Sequence, residues 1–239
     1  MCNPLCINFV ETSLASSDVR GKKVLEVGAF DVNGSPRAVI EALGPAEYCG
    51  VDIAPGPGVD EICDAEDLLK RFGTEAFDVV VSTEMIEHVA NWQLVIKNFK
   101  QVLAPGGILI VTTRSKGFPL HDYPADYWRF EVSDMAVIFG DFERVVIEND
   151  PNEPGVFVRG RKPTELREFD LEGYALHSMI SGCRSISVES ATSERDSHHQ
   201  RENLEKELLE NSQLLEAYQN LRILRYTAKL RQLFVKSLS

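Results

Sequence analysis

The chain has 239 residues, 44% of them apolar, with a formal net charge of −12. That suffices for one α/β domain with a real core, and the acidic balance speaks against nucleic acid as a partner, since a duplex binder carries a basic footprint. No run approaches the roughly 18 apolar residues of a membrane span, and Met1–Val10 lacks the basic start and long apolar core of a secretion signal, so the expected location is cytoplasmic.

Strand-like and helix-like segments alternate from the first third onward. Lys23–Val27 is a short apolar run and predicts a buried strand. Ser35-Pro36 supplies an N-cap and a first-turn proline for a helix ending near Gly44. Glu47–Asp52 and Val59–Cys63 predict two more strands, and Asp64 caps a short helix running to Leu69 or Arg71. Phe77–Ser82, with consecutive valines, is the most strand-like stretch. Asn91 then caps a helix whose apolar positions Trp92, Val95, Ile96, Phe99, Val102 and Leu103 recur at three- and four-residue steps, stopped by Pro105-Gly106-Gly107. A strand over Gly107–Thr113, a helix over Ser133–Phe139 and strands over Phe142–Glu148 and Gly155–Arg161 complete the pattern. Such alternation predicts a three-layer α/β domain over 1–163 with a mostly parallel sheet, whose ligand lies beyond the carboxyl ends of the strands. Residues 164–199 are polar without clear periodicity and predict a linker. Residues 200–239 carry a stripe of Leu204, Leu208, Leu215, Tyr218 and Leu221 at helical spacing, compatible with an amphipathic helix or short coiled coil.

The cysteines are Cys2, Cys6, Cys49, Cys63 and Cys183. Their odd count and the lack of a C-x-x-C pair predict free thiols, and no metal is expected, since Cys2 and Cys6 lack further ligands.

The first strand leads through Glu26-Val27-Gly28-Ala29-Phe30-Asp31 into the first helix, and the second strand ends at Asp52. An acidic side chain there can accept hydrogen bonds from both ribose hydroxyls of a nucleoside cofactor. A dinucleotide needs its pyrophosphate on a glycine-rich helix start. Here Phe30 is bulky and Asp31 acidic, a poor cradle for phosphates and a tolerable one for a sulfonium and an ammonium. These residues, with Cys63–Leu68, Phe77–Ser82 followed by Glu84-Met85-Ile86-Glu87-His88-Val89, and Leu103-Ala104-Pro105-Gly106-Gly107, resemble in order the landmarks of class I, Rossmann-like methyltransferases over residues 20–160. Phe30 and Val32 depart from the family's E-x-G-x-G-x-G loop. The resemblance implies a seven-stranded sheet whose last strand is antiparallel. It implies S-adenosylmethionine as cofactor, held by Glu26, Gly28, Ala29, Phe30, Asp52, Asp64, Ala65, Ser82 and Glu84, with Asp64 and the following backbone amide at the adenine.

A hydroxyl acceptor needs a base, because its pKa lies far above neutral. His88 follows the fourth strand and His121 the fifth, which makes both candidates. The segment Gly117–Phe130 gathers aromatic and carboxylate side chains suited to a polyhydroxylated ligand, so Tyr123, Tyr127, Trp128 and Arg129 are expected to meet a small-molecule or glycan acceptor. A structural lid is the alternative. The loop and tail are also similar to methyltransferases that accompany glycosyltransferases in surface-glycan pathways. The tail's readings are self-association through 200–234, a weak, salt-sensitive contact of the basic end 222–239 with an anionic membrane surface, or a helix folded back on its own domain. An active O-methyltransferase competes with a nicotinamide-dependent oxidoreductase, which Phe30 opposes, and with a non-catalytic scaffold acting through its tail.

Overall fold

A computed structural model describes residues 3–121 and 125–195, and beyond these 197, 200–201, 204–206, 208–209 and 212–213. The chain opens with helices α1 (Pro4–Ser13) and α2 (Ser16–Val19), then strand β1 (Lys23–Val27), α3 (Arg37–Glu41), β2 (Glu47–Asp52) and β3 (Glu61–Ile62). A 3₁₀ turn at Ala65–Asp67 leads into α4 (Leu68–Phe72), β4 (Phe77–Thr83), a second 3₁₀ turn at Ile86–His88, α5 (Trp92–Val102) and β5 (Leu103–Arg114). The short β6 (Trp128–Arg129), α6 (Val132–Ile138), β7 (Glu143–Asn149), β8 (Gly155–Arg161), β9 (Leu176–Ser178) and β10 (Arg184–Ser185) follow.

The main sheet has seven strands in the order β3-β2-β1-β4-β5-β8-β7, with β8 antiparallel to both neighbours. The seven-stranded, mostly parallel, Rossmann-like architecture expected from the sequence is therefore present. The central strands carry near-continuous apolar runs because both faces are covered. In β4, Val79, Val80 and Val81 are fully buried. Helix α5 turns Trp92, Val95, Ile96, Phe99 and Val102 into the core on one side of the sheet, and the Asn91 side chain caps it by accepting from the Leu94 amide at 3.3 Å. On the other side, Cys6, Phe9 and Val10 of α1 pack with Ile40 of α3 and Phe157 of β8.

The structure departs from the sequence-based expectation in three places. Pro105-Gly106-Gly107 does not precede β5. Pairing with β4 begins at Leu103, and the prolyl-glycyl run is a bulge between the Phe77 and Val79 registers. The N-terminal helices carried too weak a pattern to be anticipated. The stretch 164–199, expected as a linker, is folded for most of its length. The first compact unit runs Met1–Ala191, and β9 and β10 pair with β6 in a three-stranded sheet. Leu171 and Leu176 are buried in the main core. Asp134, buried at the start of α6, accepts the Tyr174 hydroxyl at 2.9 Å and the Arg184 guanidinium at 2.7 Å. Strands of two and three residues show no periodicity to read.

In the second unit, Thr192–Ser239, the described residues are helical, and Leu204 and Leu208 are exposed. Leu215, Tyr218, Leu221 and the basic end 222–239 lie outside the described residues. Among the described residues no helix is long and apolar enough to cross a membrane, and Cys6, Cys49, Cys63 and Cys183 are free thiols.

Candidate functional site

The order of the strands reverses between β1 and β4, and the loops leaving their carboxyl ends diverge there. This is where an open α/β sheet leaves a crevice. The crevice is a cleft of about 260 Å³ whose walls come from the turns after β1, β2, β3 and β4.

The turn after β1 is held from below and from the side. Gly28, at φ 81°, and Ala29 both donate their amides to the Val51 carbonyl at 3.0 Å. Asp52, on the rim of the cleft, accepts from the Phe30 amide at 3.2 Å and the Ala54 amide at 3.1 Å. The bulk of Phe30 is accommodated by the facing loop after β2. A Cβ on Gly56 would stand 2.2 Å from the Phe30 ring, and one on Gly58 would stand 2.4 Å from the Ala29 carbonyl oxygen. The Asp31 amide donates to the Pro57 carbonyl at 2.8 Å. The flexibility absent from the first loop is thus supplied by glycines of its neighbour, Ala54-Pro55-Gly56-Pro57-Gly58.

Asp64 caps the first 3₁₀ turn through the Glu66 amide at 2.9 Å, and Asp64 and Ala65 line the cleft. Asn98 of α5 fixes this turn from beneath by donating to the carbonyls of Ala65 and Glu66 at 2.9 and 2.8 Å. Glu26 lines the inner wall. Its carboxyl accepts the Tyr48 hydroxyl at 2.6 Å and the Ser35 hydroxyl at 3.1 Å. Burial pushes its pKa from 4.5 up to about 7, against the opposing effect of those hydrogen bonds and of Arg37. Glu84 ends β4 at φ 53°, with its amide on the Thr112 carbonyl at 2.9 Å and its carboxylate against the Arg114 guanidinium. Burial, then the nearby Glu87 and Cys6, raise the Glu84 pKa well above the carboxylate range despite Arg114. Ser82 was expected at the cofactor and is not: it is fully buried within β4 and forms no part of the cleft wall.

The chemistry of this lining discriminates among ligands. Glu26, Asp52 and Asp64 line the cleft, none of its lining residues is Lys or Arg, and Glu84 lines it with its carboxyl group buried against Arg114. A pyrophosphate would meet like charge without compensation, whereas a nucleoside bearing a sulfonium and an ammonium fits. The residues present therefore suit S-adenosylmethionine.

His88 also lines the cleft. Its Nδ1 lies 2.9 Å from the Ala125 carbonyl oxygen, and its Nε2 lies 3.0 Å from Nε2 of His121. His121 Nδ1 stands 2.9 Å from Asp126 Oδ2. Arg129 grips Asp126 with two hydrogen bonds, at 2.5 and 2.7 Å, and donates also to the Pro119 carbonyl at 3.0 Å. Burial alone would raise the Asp126 pKa, yet the bonds from Arg129 and His121 hold it well below the usual carboxylate range. The two histidines are thus brought together, one lining the cleft and the other beside it.

Of the residues expected to meet the acceptor, Trp128 and Arg129 are fully buried, and Tyr127 packs on the core. The Trp128 indole donates to the Val89 carbonyl at 3.0 Å. None of the three lines the cleft. They anchor the loop, because β6 is paired with β9 and an aromatic in such a strand faces the core. Tyr123 lies outside the described residues. Sequence reasoning missed the tie of Asp126 to His121 and Arg129, Glu87 and the Gly56–Gly58 loop. The arginine three residues after Asp126, and the carboxylate beside His88, were the available signals.

Residues 5–139 match the family model described as a methyltransferase domain. Among curated relatives, a probable phthiotriol/phenolphthiotriol dimycocerosates methyltransferase 2 of Mycobacterium ulcerans is 34% identical over 113 residues, 42% of this chain and 43% of that protein. A ubiquinone biosynthesis O-methyltransferase of Chromobacterium violaceum is 30% identical over 127 residues, 48% of this chain and 52% of that one. The chain spans about half the length of these relatives. The solved structure of 1,6-didemethyltoxoflavin-N1-methyltransferase from Burkholderia thailandensis, with bound 1,6-didemethyltoxoflavin and S-adenosylhomocysteine, superposes with a TM-score of 0.52 at 16% identity, over 66% of this chain and 78% of that one. That is a likeness of fold. With more than half of its residues matched and the sheet order in agreement, the chain belongs to the methyltransferase domain family.

Proposed function

We propose that the chain transfers a methyl group from S-adenosylmethionine to a hydroxyl oxygen of a small-molecule acceptor. The observation that carries this reading is the cleft at the strand-order reversal, lined by Glu26, Asp52, Asp64 and His88 and by no Lys or Arg. The cofactor, when bound, supplies a methyl group already activated on a sulfonium. The chain supplies alignment, exclusion of water and a means of drawing the proton from the acceptor. Asp52 and the Asp64–Ala65 turn hold the nucleoside, Glu26 faces its cationic end, and His88 with His121 beside it activates the acceptor. O-methylation is also the activity named for the ubiquinone-biosynthesis relative. Self-association or membrane contact of the tail would be additional to this activity and is not needed for it. A glycan is the less favoured acceptor, because Trp128 and Tyr127, whose rings would stack on a sugar, are turned into the protein.

Calorimetric titration with S-adenosylhomocysteine, with NADH as control, tests the reading. Micromolar binding of the first ligand alone is expected. Asp52→Ala removes the ribose hydrogen bonds and should weaken it by about 2–4 kcal/mol. Binding of neither ligand would leave the scaffold reading; binding of NADH alone would turn the assignment to an oxidoreductase.

A further inference from the structure

The loop between β5 and β6 sets two neighbouring residues against two histidines. The Ala125 carbonyl oxygen stands 2.9 Å from His88 Nδ1, and Asp126 Oδ2 stands 2.9 Å from His121 Nδ1. A carbonyl oxygen only accepts, so the hydrogen of the first contact lies on His88 Nδ1. The second contact is decided by charge. Asp126 is buried and takes both arms of the Arg129 fork, at 2.5 and 2.7 Å. Arg129 is buried too, and its other N–H groups donate to the carbonyls of Phe118, Trp128 and Pro119 at 3.3, 2.8 and 3.0 Å. A guanidinium so anchored keeps Asp126 a carboxylate, which has no hydrogen to give. At 2.9 Å a carboxylate oxygen tolerates an N–H and repels a nitrogen lone pair. His121 therefore carries its hydrogen on Nδ1 and leaves Nε2 as an acceptor.

The loop does not need this ring contact to close. Arg129 ties it from one side, and the His121 amide, which donates to Asp126 Oδ2 at 3.1 Å, ties it from the other. The contact at Nδ1 acts on the imidazole alone. Held at its amide and at Nδ1, with the Phe118 ring edge-on at 5.1 Å, the imidazole is turned so that its Nε2 stands 3.0 Å from Nε2 of His88.

We propose that Asp126 is a positioning residue for acceptor activation: it fixes the tautomer and orientation of His121, so that Nε2 of His121 receives the hydrogen bond of a proton taken up on Nε2 of His88. This rests on the reading of the cleft as a site of methyl transfer to a hydroxyl. The acceptor's O–H bond breaks, its proton bonds to His88 Nε2, and the oxygen keeps the electron pair that forms the new bond to carbon. The imidazolium so formed donates to His121 Nε2, while Asp126, clasped by Arg129, supplies the countercharge from the opposite edge of the His121 ring.

The test is long-range ¹H–¹⁵N spectroscopy of the full chain labelled at histidine, which tells bare ring nitrogens from those that carry hydrogen, with His88→Gln and His121→Gln to assign the signals. The wild-type chain should show the His121 hydrogen on Nδ1. In Asp126→Asn the Arg129 fork draws the side-chain oxygen, the amide nitrogen turns its hydrogen to His121, and the ring hydrogen should move to Nε2 in most chains. S-adenosylhomocysteine binding should persist in that variant and report a folded cleft. A tie that served the loop alone would leave the tautomer unmoved. Should Asp126→Asn not fold, Asp126→Asn/Arg129→Met, which removes the buried ion pair as a unit, takes its place with the same expected loss of the Nδ1 tautomer. A wild-type His121 with its hydrogen on Nε2 overturns the proposal, and so does a folded variant that keeps the wild-type tautomer. The expected tautomers in a wild-type chain that does not bind S-adenosylhomocysteine would overturn the methyl-transfer reading and leave the hold of Asp126 on His121 standing.

Discussion

Glu26 is where a single residue couples the cleft to solution. Its pKa of about 7 in the folded protein, against 4.5 unperturbed, means that the native state holds a proton the unfolded chain has released between those values. The native state therefore binds more protons in that window, and stability falls as pH rises through it, by about 3 kcal/mol in total. Urea unfolding from about pH 5 to about pH 8 should show this decline, and Glu26→Gln, which keeps partners for Ser35 and Tyr48, should flatten it. Equal slopes in the two proteins would remove Glu26 as the cause. A cation arriving beside Glu26 favours its carboxylate, so cofactor binding near neutral pH should release a proton. At this scale the sequence was informative about identity and poor about direction. Asp52, Asp64 and His88 stand where the motif order put them. Ser82, Trp128 and Arg129 carry the same kind of chemical promise in the sequence and are buried, because which way a side chain faces depends on pairing partners far along the chain.

Among elements, the decisive contact is between the loops after β1 and β2. Gly58, at φ 86°, lies so close to the Ala29 carbonyl that any Cβ collides with backbone. Gly58→Ala is therefore expected to cost about 2 kcal/mol or more in stability, from the left-handed conformation and the clash together. It should also weaken S-adenosylhomocysteine binding by displacing Ala29 and Phe30. Chemical unfolding and calorimetry on the same variant check both, and an unaltered variant would show that the two loops are not coupled. The strands and α5 were legible in the sequence because apolar runs and helical spacing survive burial. This compensation between loops was not, since it joins a bulky residue in one turn to glycines more than twenty positions on and no local pattern connects them.

For the whole molecule, the boundary of the folded unit is the clearest gain over the sequence. Patterning ends at 163, yet the compact unit extends through Ala191. A chain cut after 191 should unfold cooperatively and bind S-adenosylhomocysteine. One cut after 163 loses Leu171 and Leu176 from the core and strands the buried Asp134 without Tyr174 and Arg184. That should cost about 3–5 kcal/mol, read from denaturant midpoints. Two fragments of equal stability would return the boundary to 163.

The loop between β5 and β6 is tied across its own neck. Arg129 gathers the Asp126 carboxylate with the carbonyls of Phe118 and Pro119, and the Trp128 indole hangs the descending limb from Val89. A closed noose of this kind can be lengthened, shortened or recoloured between its tied points without tugging on the sheet or on the cofactor loops. If this loop meets the acceptor, acceptor preference is the property of this scaffold most open to drift among descendants, and a library aimed at new acceptors would vary the segment between Pro119 and Asp126 while keeping His121.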